Sequence, residues 1–171
     1  YAPDIDINNN PENPVINDRS FGEDKYKVSL FGVQYMKGMQ VVGVMACAKH
    51  FPGHGDTTVD SHFALPRVED SLESLRNREF KPFTKGFKAG CRWVMTAHVI
   101  NPNLDPEKPA TLSRPTLQGI LRDELRYTGL IVSDDMEMKA IADHFGVDEA
   151  PRLAIEAGCD LLIYRSEAAT R

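Results

Sequence analysis

The sequence predicts an α/β protein: a (β/α)8 TIM-type barrel, here incomplete and lacking its N-terminal strands. Apolar runs alternate with amphipathic segments, about five of the first and four or five of the second, the pattern of βαβ units on a parallel sheet. The runs end in polar, reactive side chains: Asn8, Lys49-His50, Thr96 with His98, and Asp134-Asp135. Reactive loops after successive strands suit a barrel whose strand ends ring one pocket, whereas an open doubly wound sheet concentrates its site at one switch point. A complete barrel needs about 250 residues. The chain has 171, so residues 1–171 are expected to form one partial barrel domain carrying the later strands. The chain opens at Tyr1 without an initiator Met, in keeping with a missing N-terminal part.

Each element has its own signal. Ile5-Asp6-Ile7 is a short extended run, closed by the turn-forming Asn8-Asn9-Asn10-Pro11 and Asn13-Pro14. Glu23 to Gln40 places Tyr26, Leu30, Val33, Met36 and Met39 at helical spacing. Val41 to Ala48 is continuously apolar and Val-rich, as in a strand buried on both faces. Asp70, with Glu73 three residues on, caps a helix that runs to Ala89 and stops at Gly90. Cys91 to Val99 is the next strand, and Asn101 to Leu112 is a proline-rich loop. Ser113 caps a helix ending near Tyr127, and Gly129 to Ser133 is a strand that ends in Asp134-Asp135. Met136 to Phe145 and Asp148 to Ala157 are helical, broken at Gly146, and Gly158 to Tyr164 is a final short strand.

Composition removes several function classes. With 42% hydrophobic and 26% charged residues, the chain can bury a real core. Its formal net charge is -5 and it has no basic run, so nucleic acid and anionic membranes are poor partners. No apolar window is long enough for a transmembrane helix, and no signal peptide opens the chain. Cys47, Cys91 and Cys159 are odd in number and lie in or beside apolar runs, which marks them as buried reduced thiols.

The chemistry concentrates in Lys49-His50-Phe51-Pro52-Gly53-His54-Gly55-Asp56-Thr57-Thr58-Val59-Asp60-Ser61-His62, which holds three of the five histidines. A long stretch from Lys49 to Asp70 without helical or strand period is a functional loop when its Gly and Pro corners fix it. Asp60 lies two residues before His62, close enough to hydrogen-bond the imidazole, set its tautomer and stabilise its cation for acid/base work. Asp134, at the end of a buried strand, is a nucleophile or electrostatic stabiliser, weighed against a helix N-cap, a role that Asp135 could take instead. Lys49 and His50 are donors suited to sugar hydroxyls or an amide carbonyl, weighed against a surface lysine and a satisfied core histidine. Arg19 stands out only by its place beside a strand-end turn. His50, His54, Asp56, Asp60, His62 and His98 are all possible metal ligands, although their spacings fit no metalloenzyme motif.

The stretch from Lys49 to Thr57 followed by Asp60-Ser61-His62 resembles the signature of glycoside hydrolase family 3, in its β-N-acetylhexosaminidase branch. Arg19-Ser20-Phe21-Gly22-Glu23-Asp24 and Ser133-Asp134-Asp135-Met136 match two further motifs of the family, in order. The resemblance implies a (β/α)8-type catalytic barrel. It implies Asp134 as the nucleophile of a covalent glycosyl-enzyme, His62 as the acid/base with Asp60 as its partner, and Arg19, Lys49 and His50 as ligands of an N-acetylglucosamine unit. No metal and no organic cofactor are expected. The implied substrates are terminal β-linked N-acetylglucosamine glycosides from cell-wall turnover, with a cytoplasmic recycling role. The family's acidic sugar-binding motif, on an earlier strand, has no counterpart here. Three other readings stay open: phosphorolysis by the same residues, a metal-dependent barrel hydrolase, and a sugar-binding module without turnover. The sequence does not fix an oligomeric state.

Overall fold

Every strand runs in the same direction, so the ends that carry polar side chains gather on one side. In the computed structural model, which describes residues 1–166, β1 (Cys47–Phe51), β2 (Trp93–Thr96), β3 (Leu130–Asp135) and β4 (Leu161–Ile163) form one parallel sheet in that order. An extended N-terminal segment continues the sheet beyond β1. Cys47 donates its N–H to the Ala2 carbonyl and Ile5 donates to the Lys49 carbonyl, both at 2.8 Å. Among the described residues the sheet does not close on itself, as an incomplete barrel requires.

The connections are helical: α1 (Lys25–Val41) precedes β1, α2 (Leu72–Asn77) and α3 (Phe80–Lys88) lead to β2, and a π-helix at Pro115–Glu124 leads to β3. Between β3 and β4 stand α4 (Lys139–Ala142) and α5 (Glu149–Ala157). Side chains alternate across the strands. Ala48, Phe51, Val94 and Ile131 join the helices in the main core, while Cys47, Met95 and Val132 form a smaller cluster with Trp93 and Ile163. At the centre of the main core Phe51 stacks on Phe80 at 5.6 Å and meets the edge of Phe83 at 5.2 Å. The three cysteines are free and buried, and burial pushes the Cys47 and Cys159 thiols up to about 12. Among the described residues no helix is long and apolar enough to cross a membrane.

Several boundaries differ from the sequence expectation. The run Val41–Ala48 is not one strand: α1 continues to Val41, Gly43 ends it at φ +80°, and β1 starts only at Cys47. Val41, Val42, Val44 and Met45 are exposed. Apolar composition alone does not choose between helix end, turn and strand. Within α1 the buried positions are Val28, Ser29, Gly32 and Met36, while Tyr26 and Leu30 face outward. The helix comes down on Ile5 at Gly32, where a Cβ would lie 2.8 Å from the isoleucine side chain.

The expected helix from Asp70 to Ala89 is two helices, α2 and α3, and its cap is Ser71, whose hydroxyl accepts from Ser74 N–H at 3.1 Å. Asp70 and Glu79 both take Arg78, which also reaches Asp56. That ion cluster sits at the break. Ser113 does accept from Thr116 N–H, but the helix that follows has π rather than α hydrogen bonding. Cys91–Val99 contributes a strand only over Trp93–Thr96, and Met136–Phe145 is helical only over Lys139–Ala142. Asp135 caps no helix; it accepts from Glu137 N–H in a local turn.

Replacing Phe83 by Ala should remove the ring that closes the Phe51 cluster and leave a cavity. A loss of about 3–5 kcal/mol is expected, measured by denaturant unfolding; a loss below about 1 kcal/mol would show that this cluster does not hold the sheet to α3.

Candidate active site

The loop after β1 is fixed by the segment before α1. Asp6 is the anchor: its Oδ2 accepts the His50 N–H at 3.0 Å and His50 Nδ1 at 2.7 Å, and its Oδ1 accepts the His54 N–H at 2.7 Å. Asn13 Nδ2 donates to the His54 carbonyl at 2.8 Å and to Thr57 Oγ1 at 3.2 Å. Gly55 lies against the Ile7 carbonyl so closely that a Cβ would sit 1.7 Å from its oxygen, so only glycine fits there. β1 shifts register between Ala48 and Phe51. Such irregularities re-aim side chains, and Lys49 and His50, though adjacent in sequence, both line one cavity.

That cavity, about 160 Å³, is lined by Arg19, Lys49, His50, His62 and Asp134, together with Tyr1, Val15, His54, Ser61, Met95 and Ile163. The structure thus brings five of the six residues singled out in the sequence to one place. The sixth, Asp60, stands behind His62: its Oδ1 accepts His62 Nδ1 at 2.7 Å and the His62 N–H at 2.8 Å. Among the described residues His62 Nε2 has no hydrogen-bond partner, and its side chain is 50% exposed. Asp134 Oδ1 accepts from the Asp135 N–H at 2.8 Å, and its Oδ2 lies 3.9 Å from His50 Nε2. Arg19 Nη1 donates to the Val15 carbonyl at 3.1 Å, and Nη2 lies 3.3 Å from Asp4 Oδ2. A larger groove of about 540 Å³ opens beside the strand starts Trp93 and Leu130, but no carboxylate or imidazole lines it.

The ionisation states follow from burial and neighbours. Burial works against the Asp134 anion, but His50, His98, the Asp135 amide and Lys49 outweigh it and hold the carboxyl below its usual value. Burial pushes His50 and His54 down to about 4, against the pull of nearby carboxylates, so both are neutral near pH 7. With its Nδ1 proton on Asp6, neutral His50 presents the Nε2 lone pair to the cavity. Asp4 is pushed up to about 7, first by burial and then by Asp6 beside it, with His50 and Arg19 opposing.

His98 does not reach the cavity. It is buried, its Nε2–H donates to the Asp135 carbonyl at 2.9 Å and its Nδ1 lies 2.8 Å from Thr111 Oγ1; it is a satisfied core histidine that supports the end of β3. Nor do the loop's possible ligands assemble as a metal centre. Asp56 pairs with Arg78, and His54 spends both ring nitrogens on Thr57 and Ser61. Among the described residues, the group close enough to share an ion is Asp4, Asp6 and His50, and there Asp6 already accepts three N–H groups. Asp4 and Asp6 were not singled out in the sequence. Their signal was the alternation Asp4-Ile5-Asp6-Ile7, two acids spaced as on one side of an extended segment between two core isoleucines.

The profile described as "Glycosyl hydrolase family 3 N terminal domain" matches residues 1–171. The chain belongs to glycoside hydrolase family 3. Among solved family 3 structures it is similar to a β-N-acetylglucosaminidase from Paenibacillus sp. str. FPU-7. Identity there is 48% and the TM-score 0.94, over 96% of this chain and 31% of that one. It is 30% identical to the beta-glucoside phosphorylase BglX, with a TM-score of 0.93–0.94, over 99% of this chain and 32% of that one. Among curated relatives it is 39% identical to the Beta-hexosaminidase A of Pseudoalteromonas piscicida, over 95% of this chain and 29% of that protein. The chain therefore spans about a third of the length of these relatives.

Asp4 gives a pH dependence to the family 3 fold. A carboxyl whose folded pKa lies above its unfolded value contributes stability that is present below the unfolded value and lost as pH rises through the folded one. Its window is from the ordinary 3.8 to about 7. Asp4→Asn, neutral throughout, should gain stability relative to the wild type as pH is raised from 5 to 8. Paired thermal melts across that range check the sign, and a constant difference would mean that Asp4 is already ionised at pH 5.

Proposed function

We propose that this chain carries the catalytic pocket of a retaining β-N-acetylglucosaminidase acting on terminal β-linked N-acetylglucosamine. One observation carries the reading: Asp134, ionised and partly buried, and the Asp60-supported His62 line the same small cavity, with Arg19, Lys49 and His50 around them. In the first step an Asp134 oxygen attacks the anomeric carbon while His62 Nε2–H gives its proton to the departing oxygen. The bond to the leaving group breaks and a glycosyl–Asp134 ester forms. In the second step His62, now neutral, takes a proton from water, whose oxygen attacks the same carbon and releases Asp134. Asp60 stabilises the imidazolium and holds Nδ1–H, so that Nε2 does the proton work. Neutral His50 and the cations of Lys49 and Arg19 give the sugar both acceptors and donors.

Most retaining glycosidases use a second carboxyl group in the acid/base role. An imidazole in its place supports a second reading, phosphorolysis. A neutral His62 does not repel phosphate as a carboxylate would, and the protein of 30% identity above is named a beta-glucoside phosphorylase. A cytoplasmic role in cell-wall recycling goes with the first reading and rests on the family resemblance alone.

Asp134→Ala should lower turnover of an aryl β-N-acetylglucosaminide by at least about 10³-fold while sugar binding survives; binding without turnover in the wild type would leave only the sugar-binding module. A fluorinated N-acetylglucosaminyl reagent should label one peptide, and mass spectrometry should find the label on Asp134. His62→Ala should cost about 10²-fold or more on substrates with poor leaving groups and far less on activated aryl glycosides; equal losses on both would remove His62 from the acid role. Glycosyl phosphate as the main product in phosphate buffer would decide for phosphorolysis.

A further inference from the structure

His62 of the proposed dyad is exposed and Asp60 partly so, yet the residue between them is buried. His62 is half exposed and Ser61 is 2% exposed. The Ser61 hydroxyl lies 3.1 Å from Nε2 of His54, which is itself buried, and the Ser61 carbonyl accepts from the Ala140 N–H at 3.3 Å. Ser61 is thus held from two sides, by the loop after β1 and by α4, the segment that follows Asp134.

The protons can be counted. Asn13 Oδ1 accepts from Val15 and Ile16, so its Nδ2 is the donor to Thr57 Oγ1. The Thr57 hydroxyl proton has the His54 carbonyl within 3.0 Å, and Thr57 Oγ1 also lies 2.7 Å from His54 Nδ1. If His54 carries its proton on Nδ1, three hydrogen bonds form together: Nδ1–H to Thr57, Thr57 to the His54 carbonyl, and Ser61 Oγ–H to Nε2. With the proton on Nε2 the Thr57 hydroxyl must turn to Nδ1. Its bond to the carbonyl is then lost, and the buried Ser61 hydroxyl proton has no other acceptor among the described residues, an unsatisfied buried donor that disfavours this tautomer.

We propose that His54 is a positioning residue, a neutral Nδ1-protonated imidazole whose Nε2 accepts the Ser61 hydroxyl and thereby holds the Asp60–His62 dyad over Asp134. The kinetic half of this statement rests on His62 being the acid; the structural half does not.

Nitrogen-15 shifts of His54 at neutral pH should report the Nδ1-protonated neutral form. In Ser61→Ala, amides of residues 58–63 should exchange with solvent about 3–10-fold faster, the effect of one lost hydrogen bond. Turnover of a poor leaving group should fall about tenfold with KM little changed, while an activated aryl glycoside is nearly unaffected. His54→Gln, whose amide oxygen reaches the Nε2 position, should restore much of the protection that His54→Asn loses. An Nε2-protonated or cationic His54, or loop exchange unchanged in Ser61→Ala, would overturn the proposal. Should the tautomer and the exchange rates come out as expected in a protein without glycosidase activity, the latch stands and the functional reading falls.

Discussion

The site depends on one buried carboxylate. Asp6 enters the structure on an extended segment between two core isoleucines and there meets three N–H groups, two from His50 in β1 and one from His54 in the turn that follows. Burial raises its pKa, and the donors from His54 and His50 work the other way. A carboxylate so enclosed is tolerable only because its lone pairs are taken. In return it fixes two backbone amides and one imidazole at once. The backbone near His50, the direction of the His50 ring and the start of the glycine turn are therefore a single event. The loop cannot drift from the sheet without stripping a buried anion of its partners.

From that anchor the pocket divides into a dry side and a wet side. His50 and His54 are buried and pushed toward neutrality, so they act as hydrogen-bond groups of fixed sense; His98, outside the cavity, does the same behind the end of β3. Asp134 sits at the boundary, where His50, His98, the Asp135 amide and Lys49 together hold its carboxyl below the usual value in spite of burial. His62 is on the wet side, supported by Asp60 and open to solvent. On the proposed reading, the group that would exchange protons and the group that would keep one charge state have opposite environments on neighbouring loops.

How far all this is legible in the sequence depends on distance along the chain. The Asp60–His62 pair is local, two residues apart, and the short-range geometry of a turn is enough to infer it. Asp134 is legible because an apolar strand ends there. Asp6 is not, because its partners lie 44 and 48 residues away and only the folded sheet brings them close. The strand pattern and the parallel sheet were visible as alternating apolar runs. Val41 to Met45 misled because side-chain hydropathy is silent about where a helix unwinds; the exposed valines there follow from Gly43, not from burial. The break between α2 and α3 was hidden for a different reason. Arg78 gathers Asp56, Asp70 and Glu79, and no local pattern announces an ion cluster assembled from three segments.

The contact at Gly55 has an evolutionary corollary. Backbone meets backbone there, with the Ile7 carbonyl where a side chain would have to go, and the asparagines around it tie residues 10–13 to the same turn. Such a joint has no adjustable part. Recombining this chain with a relative should succeed only when the stretch before α1 and the glycine turn are inherited from the same parent. The two are far apart in the gene and behave as one heritable module.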